Sequence, residues 1–495
     1  MFLASAAAAV LAGERSRQGV FTTVVLGRFE PVGPGDLTLL ARARHLTRFL
    51  PGGHAESSTC ATVLDLHYPA VMALPAGAST LMRSTRRLDA SSLSRSVFPI
   101  FVVGLASSIT LSESALAVLT ALWLWRLRDP TVRREQPWSL GLPIALFLLV
   151  TLVSALASDV PGRSLVAAKG LLTAFAFFVT ADLLRSVDRV ERFLTLLGIL
   201  GAILGVAGLI QVMTCPTPVP QVWPLSWFFH RCDRARGPFS IYMTLGGVLV
   251  LILLVGLPRL LAGSLRARGR WGLWLVTLAG LGVTYVRGAW VGFLAGLGVL
   301  LLTLRRGRIF MIIGIALMLT IALLGPERLS SRVRSVVDPN DVTVRERLYM
   351  WKSGLAMWRE HPWLGVGPGG VGRSYRNYAL PEAVKKSTGH VHSSPLQILV
   401  ERGVVGLTAW LSIWVTFFVS ASRLLRRLDG PAHARERTIV VGSLAAISGF
   451  LVTGLSEWSF GDAEVVLIAW TLAALPFGVA IGLEPSSAPV MRADS

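Results

Sequence analysis

The sequence predicts an all-α, polytopic membrane protein with about twelve transmembrane helices and one long extracytoplasmic loop carrying short amphipathic helices. Three observations predict it. Hydrophobic residues make up 53% of the 495-residue chain. They come in blocks of ~17–22 residues, the length that crosses a ~30 Å hydrocarbon core at ~1.5 Å per residue. Arginines concentrate in the short segments between those blocks. Inside lipid the backbone must satisfy its own hydrogen bonds, which makes helices the economical solution.

Apolar blocks are read at 97–111, 113–126, 139–157, 164–184, 193–213, 238–257, 271–286, 288–304, 309–325, 403–424, 437–456 and 464–483. The first two are separated only by Ser112-Glu113-Ser114, so two spans or one long tilted helix both fit. The loop Arg126–Pro137 carries four Arg, Arg185–Arg192 three, Pro258–Arg270 four, Arg305–Arg308 three and Arg423–Arg437 five. With twelve spans these loops share one side. The positive-inside rule makes that side cytoplasmic, together with both termini and a tail at 484–495. The opposite-side loops 158–163 and 457–463 hold one Arg between them. Segments 214–237, 286–288 and 326–402 then lie outside, and 326–402 is too long for a passive connector.

The net charge of +20 suggests nucleic acid at first. Its distribution is that of membrane topology instead, so the bilayer is the expected partner and nucleic acid is not. Residues 1–94 differ from the rest. Met1 to Gly13 is apolar but short, and lacks a basic leader. Residues 14–94 show no clear period. They read as a disordered extension or a mis-called translation start, with Met82, ahead of Arg83, Arg86 and Arg87, as a sensible alternative start. Residues 95–483 form the membrane domain. Cys60 lies in the extension, whereas Cys215 and Cys232 share one outer loop. An oxidising compartment would permit a bridge between them.

Several residues could carry chemistry. Val344 to His361 reads as an amphipathic helix with Leu348, Trp351, Leu355 and Trp358 on one stripe, suited to the membrane interface. His361-Pro362 ends it. Gly365-Val366-Gly367-Pro368-Gly369-Gly370 follows, a turn whose glycines (Gly365 and Gly367 first) let backbone approach a ligand closely. Then come Gly389-His390-Val391-His392-Ser393-Ser394-Pro395, with Pro395 in the first turn of a helix that Ser393 or Ser394 can cap. His392 could be a general base, an interfacial or capping histidine, or half of a His-x-His metal pair. That pair lacks a third ligand at suitable spacing, so no metal is expected. Arg287 interrupts two apolar blocks at the outer surface. It either snorkels or clamps an anion. Arg234 and Arg236 could join it, and such a cluster beside a histidine suits a phosphorylated, lipid-bound substrate. Lys169 is the clearest ionisable residue within a span. It is a snorkelling lysine or a substrate contact. No run of Asp, Glu or His offers a proton relay, and no internal repeat is visible, which argues against a flippase or secondary transporter.

These residues together resemble a known family. Arg347-Leu348-x-x-Trp351, His361-Pro362-Trp363-Leu364-Gly365-Val366-Gly367 and His392-x-x-x-Leu396-Gln397-Ile398-Leu399-x-Glu401-x-Gly403-x-x-Gly406-Leu407, with Arg287-Gly288-Ala289-Trp290 upstream, are similar to the motifs of the O-antigen ligase and O-antigen polymerase superfamily. That superfamily consists of bacterial envelope glycosyltransferases of the inner membrane. The resemblance covers 95–483. It implies transfer of a glycan from undecaprenyl diphosphate to an acceptor hydroxyl at the periplasmic face, with 326–402 as the long periplasmic loop. It also implies His392 acting on the acceptor hydroxyl, and Arg287 and Arg347 holding the diphosphate. The reaction it implies needs no cofactor, and the chain has no Asp-x-Asp pair. Arg236 is carried over only weakly, because Ser240-Ile241-Tyr242 replaces the Asn-rich stretch that often follows in the family. The implied activity is ligation to lipid A-core or another envelope acceptor. A repeat-unit polymerase is the alternative, and a protein O-oligosaccharyltransferase shares the same motifs.

Overall fold

The computed structural model describes residues 90–483, apart from 217, 231, 264–267, 305–306, 325–326, 336–337 and 339. The chain divides at 81/82, and only the second unit is described. The expectations for residues 1–89 and for the tail 484–495 lie outside the described residues.

The described residues are helical and contain no strand. The chain is an all-α, polytopic membrane protein. The longer helices are α1 Ala90–Ser107, α2 Ile109–Arg126, α3 Gly141–Leu156, α4 Pro161–Leu183, α5 Val187–Met213, α6 Tyr242–Ala262, α7 Arg268–Gly282, α8 Arg287–Thr303, α9 Gly307–Leu324, α12 Ser394–Arg427, α13 Ala434–Ser456 and α14 Ala463–Leu483. Within the long loop are α10 Val342–Glu360 and α11 Gly370–Tyr378, and α12 Ser394–Arg427 follows. Among the described residues, eight helices are long and apolar enough to cross a membrane, and α8 is a shorter apolar helix.

The first two blocks are separate helices. The break falls at Ser108, not at Ser112-Glu113-Ser114. Ser108 has extended backbone, and its hydroxyl accepts from the Leu111 amide, a cap that starts a new helix and ends the old one. Helix α4 contains a 3-10 stretch at Ala168–Ala174. Helix α12 joins two segments that the apolar pattern keeps apart. Gly403, with φ 63° and ψ −170°, breaks it internally, so residues 394–402 belong to the loop's architecture and the rest to the bundle.

Three of the arginine-rich loops, 126–137, 185–192 and 423–437, are tied together at one end. Arg126 pairs with buried Asp182, Arg185 reaches Asp182 and Glu135 at 2.7 Å each, and Arg435 reaches Asp188 and Glu191 at 2.6 and 2.8 Å. The core of the bundle is α6, α13 and α14, whose residues are mostly buried. Close helix contacts use small residues, the usual solution where apolar lipid gives helices no reason to associate. A Cβ at Gly292 of α8 would stand 2.6 Å from the Gly449 carbonyl of α13.

The long loop builds its own small core from Met350, Met357, Val371, Tyr375, Val391 and Val400. This changes the reading of α10. Asp341 caps it by accepting from the Thr343 and Val344 amides, and His361 ends it as expected. The face that is buried carries Met350, Gly354 and Met357, with Trp351 and Trp358 on its flanks, while Leu348 is exposed. The tryptophan stripe is therefore the edge of a protein-facing surface.

Candidate active site

The end of the bundle opposite the arginine-rich loops gathers three arginines and a histidine around one carboxylate. Each arrives on a different element. Arg287 is the first residue of α8, and Arg347 lies one turn into α10. Arg234 comes from the loop before α6, His392 from the segment before α12, and Glu457 from the turn between α13 and α14. One pocket is lined by Arg234, Tyr242, Tyr285, Arg287, Arg347 and Glu457.

Glu457 is the centre of the arrangement. One carboxylate oxygen, Oε1, accepts from the Arg347 guanidinium, and the other, Oε2, lies 3.4 Å from Nδ1 of His392. The Glu457 side chain is 7% exposed and that of His392 14%, so their attraction is weakly screened. With Nδ1 turned to the carboxylate, Nε2 of His392 is left for a substrate. His390 packs edge-on against His392 with ring centroids 4.4 Å apart. Burial, helped by the neighbouring His392, pushes the His390 imidazole down to about 4. It is therefore neutral at pH 7 and does not compete for Glu457.

Arg287 is held by the loop. It donates to the Ser335 carbonyl at 2.6 Å, to Asp341 at 3.1 Å and to the Thr343 hydroxyl at 2.7 Å. Burial pushes the Asp341 carboxyl up, but bonds from Thr343 and Arg287 and the Arg287 charge outweigh it and hold it at about 2. Arg234 stacks over Tyr242 at 4.6 Å. An anion entering this pocket meets guanidinium groups already positioned by carboxylates that it can displace.

Two residues of this region have left-handed backbone without being glycine: Tyr285 at φ 54° and His392 at φ 51°. Such conformations cost ~1–3 kcal/mol and persist where surrounding bonds impose them. For His392 those bonds are visible. The Trp351 indole donates to the Val391 carbonyl at 3.0 Å, and Gln397 accepts from the Val391 amide at 2.9 Å. Gln397 also donates to Glu401 at 2.8 Å, and Glu401 pairs with Arg402 at 3.0 Å. Glu401 further accepts from the Gly369 amide at 2.8 Å.

The remaining sequence candidates fall elsewhere. Gly365 and Gly367 have φ 67° and 82°. What they admit closely is the chain itself: a Cβ at Gly365 would lie 2.4 Å from the Val400 carbonyl oxygen, and one at Gly367 would lie 2.4 Å from Ser158. Arg236 is buried beneath the loop. It donates to the Trp227 carbonyl and stacks over the Trp227 ring at 4.6 Å, outside the pocket that holds Arg234. Lys169 sits exposed in the 3-10 stretch of α4 and does not line that pocket. Cys215 and Cys232 are bonded to each other, with Cα atoms 5.6 Å apart, a separation typical of a bridge. Glu457 carried no sequence signal: it is one of two acidic residues in the six-residue turn 457–462, with no motif around it.

Fold and site thus define a multi-pass membrane protein with an arginine-histidine centre at one end of its bundle. Residues 271–411 match the family model described as O-antigen ligase, and the match supports the O-antigen ligase superfamily. It includes Arg287, Arg347, Gly365, Gly367 and His392, and leaves out Lys169, Arg236 and Glu457. No curated protein matches the chain. The family supports a glycosyltransferase of the ligase or polymerase kind.

Proposed function

We propose that the chain transfers a glycan from undecaprenyl diphosphate to an acceptor hydroxyl, as an O-antigen ligase does with lipid A-core, at the periplasmic face of the bacterial inner membrane with both termini cytoplasmic. The observation that carries this reading is the sharing of Glu457 between Arg347 and His392, which joins an anion site to a base. A cavity of about 590 Å³, walled by Trp271, Trp274, Leu278, Trp290 and Phe293, shares Tyr285 with the arginine pocket. An isoprenoid tail in that cavity would leave its diphosphate beside Arg287 and Arg347.

The step is then simple. The acceptor hydroxyl oxygen forms a bond to the anomeric carbon as the bond from that carbon to phosphate oxygen breaks. The hydroxyl proton goes to Nε2 of His392, whose imidazolium Glu457 stabilises through Nδ1. Undecaprenyl diphosphate leaves with the bonding electrons, and Arg287, Arg347 and Arg234 meet the charge that develops. Fixed guanidinium groups do this well in a water-poor site, and we assign them the part that a divalent cation plays in other glycosyltransferases. Glu457 positions the base and the clamp.

The test uses the full chain in nanodiscs with undecaprenyl-diphosphate-linked repeat units, with and without lipid A-core, beside His392→Ala. Product only when lipid A-core is added is the expected result. A ladder from donor alone would make the protein a polymerase. Absence of any His392-dependent product in both lanes would overturn the enzymatic reading for these acceptors.

A further inference from the structure

A second polar cavity, of about 610 Å³, opens on the other side of the α6 N-terminus from the arginine pocket. Tyr242, the first residue of α6, lines the arginine pocket, and Thr244, two residues on, lines this cavity. The turn between α13 and α14 bounds both: Glu457 faces the first, and Asp462, together with Glu464 of the first turn of α14, faces the second. Its wall also includes Trp227, Ser108 and Ser240.

We propose that this cavity is a saccharide subsite that holds a sugar ring of the glycan next to the transfer centre. The chemistry of its lining fits a sugar ring. Carboxylates and hydroxyls accept and donate to vicinal hydroxyl groups, and an indole offers a flat apolar body to the C–H face of the ring. The Trp227 platform is built. Arg236 stacks on the indole at 4.6 Å and donates to the Trp227 carbonyl, while Trp227 as a residue stays 41% exposed. Gln211 fixes the support from behind, accepting from the Arg236 and Gly237 amides at 2.8 and 3.1 Å. Opposite, Thr244 donates to Asp462 at 2.5 Å, which orients that carboxyl. Burial pushes the Asp462 carboxyl up to about 7 against the Thr244 bond, with the Glu464 charge adding to the rise, so it can both donate and accept near neutral pH. The assignment gives Arg236 a positioning role: it holds the sugar platform and does not touch the diphosphate.

The inference rests on the glycosyltransferase reading only for where the sugar comes from. The test is saturation-transfer NMR on the full chain in nanodiscs, with methyl glucoside, methyl mannoside and methyl galactoside as probes. Transfer to ring protons of at least one glycoside is expected. It should be lost in Trp227→Ala and in the Asp462→Asn/Glu464→Gln double variant, kept in His392→Ala and partly restored in Trp227→Phe. Thermal melts matching wild type separate loss of the site from loss of the fold. Free repeat-unit oligosaccharide and free core oligosaccharide form two further arms, and the one that displaces the methyl glycoside names the source, donor or acceptor. No transfer to any glycoside, or transfer that survives both the Trp227 and the carboxyl substitutions, overturns the subsite. So does calcium binding that needs Asp462 and Glu464 with no saccharide signal. A saccharide signal without any His392-dependent product would leave the subsite standing and sink the enzymatic reading alone.

Discussion

Glu457 and His392 meet at 3.4 Å although 65 residues separate them in the chain. The contact ties the long loop to the turn between the last two spans. Glu457→Gln keeps the shape and removes the charge. It should lower the transfer rate about 10²-fold, within the range that general-base catalysis contributes. Single-turnover rates give the answer, and a rate equal to wild type would remove Glu457 from the positioning of His392.

Arg287 and Arg347 are both forks held at fixed angles, and a lysine keeps the charge but not the fork. Arg287→Lys and Arg347→Lys should each leave well under a tenth of wild-type activity, by roughly the 1.5–3 kcal/mol of a charge-assisted hydrogen bond. Full activity in both lysine variants would remove the clamp from the mechanism.

The buried Glu401–Arg402 pair, 5% and 8% exposed, anchors the segment that carries His392. Glu401→Ala strands a buried guanidinium, at a cost of about 3–5 kcal/mol. The thermal midpoint in detergent should fall sharply, and activity should fall with it. A melt equal to wild type would show that Arg402 finds another partner.

His390 and Asp341 give the loop a pH signature of known sign. His390 has its pKa lowered from 6.5 to about 4, so the neutral form is favoured by folding. Its stabilising contribution is complete above about pH 6.5 and is lost as pH falls through about 4. Asp341, lowered from 3.8 to about 2, contributes above pH 3.8 and loses that contribution only as pH falls through about 2. Melting followed from pH 7 to 4 should therefore show a decline that His390→Gln reduces and that Asp341→Asn does not.

Cys215 and Cys232 are bonded in the structure. Alkylation of denatured protein without reductant should leave both unlabelled, and prior reduction should add two labels. Labelling of both before reduction would place their loop in a reducing compartment.

Much of the bundle was legible because apolar block length is dictated by the bilayer. The contacts among Arg126, Asp182 and Arg185 put the loops 126–137 and 185–192 at the same end of the bundle. The site was legible where residues stand in motifs, as Arg287, Arg347 and His392 do. It was not legible where geometry depends on a turn. Arg234 and Arg236 are two residues apart, and only the path of the loop decides which enters the pocket and which is buried under Trp227. Periodicity found α10 but chose the wrong face, because Trp351 and Trp358 flank the buried Met350 and Met357 instead of leading them. Glu457 was invisible for a simpler reason: one carboxylate between two apolar blocks looks like any other loop residue.

The break at Gly403 reaches further than helix direction. The Trp363 carbonyl sits where a side chain would be, 2.0 Å from a built Cβ. The Val366 and Gly367 amides donate to the Val400 and Glu401 carbonyls at 3.0 and 2.9 Å, and the Val404 amide donates to the Pro362 carbonyl at 2.9 Å. The glycine turn is thus stitched to the root of α12 through Val366, Gly367 and Gly369. A segment fastened in this way is a roof, not a door. On the proposed function, a lipid-borne substrate would come and go sideways, by diffusion within the leaflet.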